Sequence, residues 1–156
     1  MLVYRIVHSK YSNDLYASGM KGRWNGSGRK VIYTGESIAI ALLENMVRRQ
    51  GVGFNNDFKT MLIEIPDGTA ISKIDIATLK DGWRKNNDSQ CQYLGDLWYD
   101  SGKTMILKVP SAILPQASNY ILNSTHPDYG TVKIIAVTDL APDERIEDIL
   151  KNYSKK

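Results

Sequence analysis

Apolar and polar positions recur along this chain with two different periods, and they predict strands and helices in alternation. Val3 to Val7 reads as a first strand. Lys30 to Tyr33 reads as a short second one, after the loop GRWNGSGR. Ser37 is placed to cap a helix, because its hydroxyl can accept from the free N–H groups of a first turn. The helix itself runs through IAIALLENMVRR, with Ile38, Leu42, Leu43, Met46 and Val47 at helical spacing. Arg48 and Arg49 suit the negative end of its dipole, and Gly51 can end it. Met61, Ile63 and Ile65 alternate with Thr60 and Glu64, a strand period. SQCQYLGDLWYDSG reads as a short helix ending at Gly102. In KTMILKVP, the residues Met105, Leu107 and Val109 fall on one side of a strand that Pro110 closes. VKIIAVTD is a last strand, and Pro142 opens a final helix over APDERIEDILKNY, with Asp143 and Glu144 favouring its start.

Strands with helices interleaved predict an α+β (mixed α/β) fold, a twisted, mostly antiparallel sheet with helices packed on it. Pro66, Pro110, Pro115, Pro127 and Pro142 stand apart as punctuation, and nothing marks a repeat or a linker. The 156 residues are read as one domain, residues 1–156, long enough to bury roughly 70% of the unfolded surface. No apolar run approaches the ~20 residues of a membrane span, and no signal-peptide pattern opens the sequence. Cys91 is the only cysteine, which excludes an intrachain disulfide and suits a cytoplasmic location. A net charge of +3 and a pI near 8.9 leave room for an anionic ligand, a nucleic acid or an acidic partner.

Four places carry candidate chemistry. Arg23, Trp24 and Asn25, with Gly26 and Gly28, form a basic loop in which Arg23 offers a planar fork to a phosphate or carboxylate. Alone, such a loop is more often a surface turn. Tyr33 can stack on a planar ring, although a half-buried sheet tyrosine is commoner. Glu44 lies among apolar helix residues. It is either an ordinary surface ion pair with Arg48 at i+4 or a carboxylate at a pocket edge, suited to stabilising positive charge on a sugar. Ser111 follows the stiff Val109–Pro110 step, which places it reproducibly. One cysteine and two distant histidines, His8 and His126, give no zinc-type spacing, and no Walker A or G-x-G-x-x-G motif occurs.

These residues stand in stretches that resemble the RES-domain family. They are YR at Tyr4–Arg5, GRWNGSG at 22–28, VIYTGESIAIALLE at 31–44, YLGDLWYDSG at 93–102, ILKVPSAILP at 106–115 and NYILNSTHPDY at 119–129. The resemblance covers most of the chain in the family's order. It places the family's arginine on Arg23, its glutamate on Glu44, its serine on Ser111 and its active-site tyrosine on Tyr33. Gly35 stands where a serine is frequent in the family, an exchange expected to loosen the start of the Glu44 helix. Ser124 stands where a proline is frequent.

The resemblance implies an ADP-ribosyltransferase-like fold and a cytoplasmic bacterial toxin. Its substrate is NAD+, with no resident cofactor and no metal. Cleavage falls at the nicotinamide–ribose bond, by hydrolysis, by phosphorolysis or by ADP-ribosyl transfer to a protein. Arg23, Asn25 and Tyr33 are expected at the NAD+, with Arg23 on its phosphates, and Arg23, Tyr33, Glu44 and Ser111 make up the catalytic set. The implied partner is an Xre-type antitoxin that covers the site, with DNA contacted only through it and room for a homodimer in the complex. Two other readings stand beside this one. A nucleic-acid-binding module would use the basic charge and exposed aromatics such as Trp24 or Trp83. A serine hydrolase would use Ser111, which lacks a G-x-S-x-G elbow.

Overall fold

The computed structural model describes residues 1–49, 57–85, 89–146 and Asp148. Seven strands form one sheet: β1 (Leu2–His8), β2 (Val31–Gly35), β3 (Phe58–Glu64), β4 (Ile71–Lys73), β5 (Ile106–Pro110), β6 (Ser118–Asn123) and β7 (Lys133–Asp139). Their order is β4-β5-β6-β2-β1-β3-β7. Every pairing is antiparallel except β4 with β5. That parallel pair requires a crossover, which α2 (Ser89–Ser101) supplies between them. The second helix among the described residues, α1 (Ile38–Arg48), connects β2 to β3. The mixed, mostly antiparallel α+β architecture read from the sequence is therefore the one observed.

Registry sorts the side chains onto two faces. Val3, Val7, Ile32, Met61, Ile63, Ile106 and Leu122 share one face and its core. The other face is covered twice. Over β1 and β3, Ile6, Phe58 and Leu140 pack with Ala41 of α1. Over β2, β6 and β5, Val31, Ile121, Leu107 and Val109 pack with Trp24, Trp83, Cys91 and Trp98. Tyr33 and Asn119 rise from this second face, because Tyr33 pairs with Ile121 and Gly35 with Asn119.

The predicted elements hold with adjustments. Ser37 caps α1, its hydroxyl accepting from the Ile40 N–H at 3.2 Å. Gly102, just past α2, has a φ of 58°. In β5 the one-sided alternation fails: Ile106 is as buried as Leu107 and Val109, because this interior strand is covered on both faces. Residues 144–146 are helical where Pro142 predicts a helix to begin. Most of that helix and Gly51 lie outside the described residues. Gly35 does the reverse of loosening α1. A Cβ there would meet the Ala41 backbone nitrogen at 2.7 Å and the Ser37 carbonyl oxygen at 3.2 Å, so glycine lets the helix's first turn seat directly on β2. No helix among the described residues is long and apolar enough to cross a membrane.

Candidate active site

Glu44 and Ser111, 67 residues apart in sequence, meet directly. The Ser111 hydroxyl donates to Glu44 Oε1 at 2.8 Å. The same oxygen accepts from the Asn119 amide at 2.6 Å. Ser111 is fully buried at the end of β5, and its Oγ also accepts from the Ile113 and Leu114 N–H groups, which fixes the turn beyond Pro110. Glu44 forms no salt bridge with Arg48 among the described residues, so the surface ion pair at i+4 is not what holds it. Oε2 has no protein partner among the described residues. The carboxylate is thus anchored by one oxygen and presents the other.

Tyr33 is half-buried against the tryptophan-rich cluster. Its hydroxyl donates to Asn25 Oδ1 at 2.7 Å and accepts from the Trp24 N–H at 3.0 Å. Burial, with a smaller push from Asp96, raises this hydroxyl well above the usual phenol range, while the Trp24 N–H and the charges of Arg48 and Arg23 pull it back. The ring is neutral at physiological pH, and two cations lie within electrostatic reach of it. Asn25 is wholly buried, and its amide donates to the Met20 and Gly26 carbonyls at 2.9 and 3.1 Å. It lies beneath the loop as internal bracing, with no part of it at the surface.

Arg23 holds a neighbouring segment. Its Nη1 donates to the carbonyls of Trp83 and Lys85, at 2.8 and 3.0 Å, and its Nη2 to that of Arg84 at 3.0 Å. Arg84 in turn donates to the carbonyls of Ala112 and Ile113, at 2.7 and 3.0 Å. A chain of contacts therefore links Arg23 to the Ser111 turn, and through Ser111 to Glu44. All of Arg23's partners here are uncharged, so its positive charge is not cancelled by them.

The loop that carries Arg23 is fastened to α2. Asp96 accepts from the Gly26 N–H at 2.7 Å, Arg29 pairs with Asp96 and Asp100, and Gln92 donates to the Gly22 and Asn25 carbonyls. Only a glycine at position 95 allows the loop to dock this closely. A Cβ on it would lie 1.8 Å from the Trp24 carbonyl oxygen, against backbone that cannot yield. Gly95→Ala is expected to cost at least the upper part of the ~1–3 kcal/mol typical of overpacking. Urea unfolding of the variant checks this, and an unchanged midpoint would show that loop and helix are not in register as described.

The structure removes the aromatic support of one rival reading and the histidine that the other would need. Trp24 and Trp83 are 2% and 6% exposed and pack against each other, with ring centroids 6.2 Å apart, so neither offers a face for a base to stack on. Ser111 bonds a carboxylate rather than an imidazole. His8 and His126 instead accept from nearby backbone N–H groups, those of Lys10 and Asp128. Sequence reasoning missed Asn119, Gln92, Asp96 and Arg84. Asn119 and Asp96 lie in stretches that carry the family resemblance and Gln92 and Arg84 do not, and nothing in the residue type of any of the four singles it out.

Residues 2–146 match the model of the RES domain. The chain is 32% identical to "Toxin Res" of Photorhabdus laumondii, over 94% of this chain and 97% of that one. It is 34% identical to "Toxin Res" of Pseudomonas putida, over 94% and 99%. It is 32% identical to "Prs ADP-ribosylating toxin" of a Sphingobium species, over 86% and 88%. Its fold is similar to a chain in the crystal structure of the M. tuberculosis MbcT–MbcA toxin–antitoxin complex. The TM-score there is 0.73 at 16% identity, over 99% of this chain and 89% of that one.

Proposed function

We propose that this chain, which belongs to the RES-domain family, is the toxin of a toxin–antitoxin pair and cleaves NAD+ at its nicotinamide–ribose bond. The observation that carries the reading is the Glu44 carboxylate, anchored through Oε1 by Ser111 and Asn119 and presenting Oε2. Nicotinamide in NAD+ is already a cationic leaving group. When the C1′–N bond breaks, its electron pair passes to the ring nitrogen and neutral nicotinamide departs without an acid. What the protein must supply is orientation, and negative charge beside the oxocarbenium-like ribose. In this reading Glu44 Oε2 supplies that charge. Tyr33 offers a ring face to the ribose or the nicotinamide. An oxygen of water, of phosphate or of an acceptor side chain then forms the new bond to C1′, and any proton that oxygen carried leaves to solvent.

The uncancelled charge of Arg23 suits the NAD+ phosphates, but its terminal nitrogens already hold the Trp83–Lys85 segment. Both tasks need the planar fork. Arg23→Lys keeps the charge and loses that geometry. The expected result is a KM for NAD+ raised about 10-fold or more, the scale of losing hydrogen bonds to a charged group. Steady-state kinetics decide it, and parental kinetics in the lysine variant would reduce Arg23 to a diffuse charge.

Transfer of ADP-ribose to a protein is the second reading, and the 32% identity to a relative named as an ADP-ribosylating toxin favours keeping it. One experiment tests both. The purified chain is incubated with NAD+ in the presence and absence of phosphate, then with NAD+ and a cell extract, and the products are identified. Free ADP-ribose identifies hydrolysis, and ADP-ribose 1″-phosphate identifies phosphorolysis. Label carried on a protein identifies transfer. Intact NAD+ in all three arms would overturn the assignment.

A further inference from the structure

We propose that Asn119 is a positioning residue for the reaction: its amide fixes the Glu44 carboxylate so that Oε2 faces the substrate, an inference that rests on the NAD+-cleavage reading. Asn119 lies on β6 opposite Gly35 of β2, with its side chain on the face that carries Tyr33. Gly35 has no side chain there, so α1 comes down onto the strands and Glu44 can reach β6. Asn119 is only 8% exposed, and its amide donates to Glu44 Oε1 at 2.6 Å. Ser111 supplies the other donor to the same oxygen.

Two donors, one on β6 and one in the turn after β5, converge on one carboxylate oxygen and define both the position and the rotation of the group. One donor alone would leave the carboxylate free to swing about that bond. Serine cannot do this work by itself, because its hydroxyl also accepts two N–H bonds and is turned by the 111–114 turn. Asn119 touches Glu44 and is not proposed to touch NAD+, so its loss should act on turnover rather than on affinity.

The amide's chemistry offers a sharp test, because asparagine and aspartate share a shape. In Asn119→Asp, a donor becomes a carboxyl group against Oε1. With one proton shared, the new acid still donates and the arrangement survives. When that proton leaves, two negative charges face each other at hydrogen-bond distance, so the pair holds its last proton to an unusually high pH. The titratable and charged groups on this side of the elements around Glu44 are Arg48 on α1, Tyr4 and His8 on β1, Tyr33 on β2, Arg23 on the preceding loop and Arg84 beside the Ser111 turn. They are the same in the parent and both variants, so a difference between the melting series reports the new carboxyl group. A raised folded-state pKa gives stability that is present at low pH and lost as pH rises through it.

The experiment measures melting temperature and NAD+ turnover for the parent, Asn119→Asp and Asn119→Ala between about pH 5 and about pH 8. For Asn119→Asp, the melting deficit relative to the parent should widen as pH rises, and its kcat relative to the parent should fall over the same range. Asn119→Ala should lose kcat on the order of 10- to 100-fold, with KM nearly unchanged and little added pH dependence. A deficit that stays flat with pH would show that the contact does not form, and would overturn the proposal. A widening deficit with kcat parallel to the parent's would overturn the positioning role while leaving the contact. A folded parent that leaves NAD+ intact would overturn the cleavage reading and the positioning role with it, and the melting series would still report on the contact.

Discussion

Glu44→Gln is expected to abolish NAD+ consumption while leaving the fold intact, and of the substitutions considered it has the largest effect on turnover. The side chain keeps its length and its position on α1. The glutamine carbonyl oxygen can still accept from Ser111 and Asn119, where Oε1 accepts now. What changes is the outward-facing atom: a carboxylate oxygen becomes an amide nitrogen with no negative charge. Weakening two charge-assisted hydrogen bonds costs the fold about 1 kcal/mol. The transition state loses more, because positive charge develops on the ribose only as the glycosidic bond breaks. Loss of one well-placed electrostatic group commonly lowers kcat by roughly 10²–10³-fold. Steady-state NAD+ turnover, with a melting curve to confirm folding, measures it. A well-folded glutamine variant with near-parental kcat would remove Glu44 from the chemistry.

Much of this site is legible in the sequence, and what is not has physical causes. Ser37 predicts the start of α1 because a serine before an apolar helical period has one strong local use, and the structure shows that cap. The meeting of Glu44 with Ser111 is implied by the family resemblance, but no local period could give it, since it depends on α1 crossing over β2 beside β6. β6 escapes the pattern because its ends, Ser118, Asn119 and Asn123, are polar, and because its middle is covered on both faces, which erases alternation. β4 is three residues long, too short to show a period. Trp24 and Trp83 read as available aromatics because sequence does not show that each is the other's cover. Gly35 reads as a weakness from propensity alone, whereas a Cβ built there meets the backbone of α1. Asn119 is invisible for a related reason: an asparagine in a strand suggests a poor strand residue until its amide is seen on a carboxylate.

The second large effect is expected in the cell. If Glu44 and its surroundings cleave NAD+, expressing the chain alone should stop growth and drain NAD+, and Glu44→Gln should do neither. A cell that carries such an activity needs a partner to silence it. Arg23 and Arg48 lie within electrostatic reach of Tyr33, as does Asp96, and no carboxylate among the described residues forms an ion pair with either arginine. A partner segment ending in a carboxylate, or carrying one, would meet complementary charge at the place where the NAD+ phosphates are proposed to lie. Silencing by this route is competitive, so the purified complex should be inactive at low NAD+ and should recover turnover as NAD+ or salt is raised. The first partner to try is the product of the gene beside this one. Co-expression with it should restore growth and the NAD+ level together. Harmless expression of the chain alone, in a soluble form that leaves NAD+ unchanged, would count against the toxin assignment. A partner that restores growth without restoring NAD+ would place the harm in a reaction other than NAD+ loss, with ADP-ribosyl transfer to a protein as the reading to pursue.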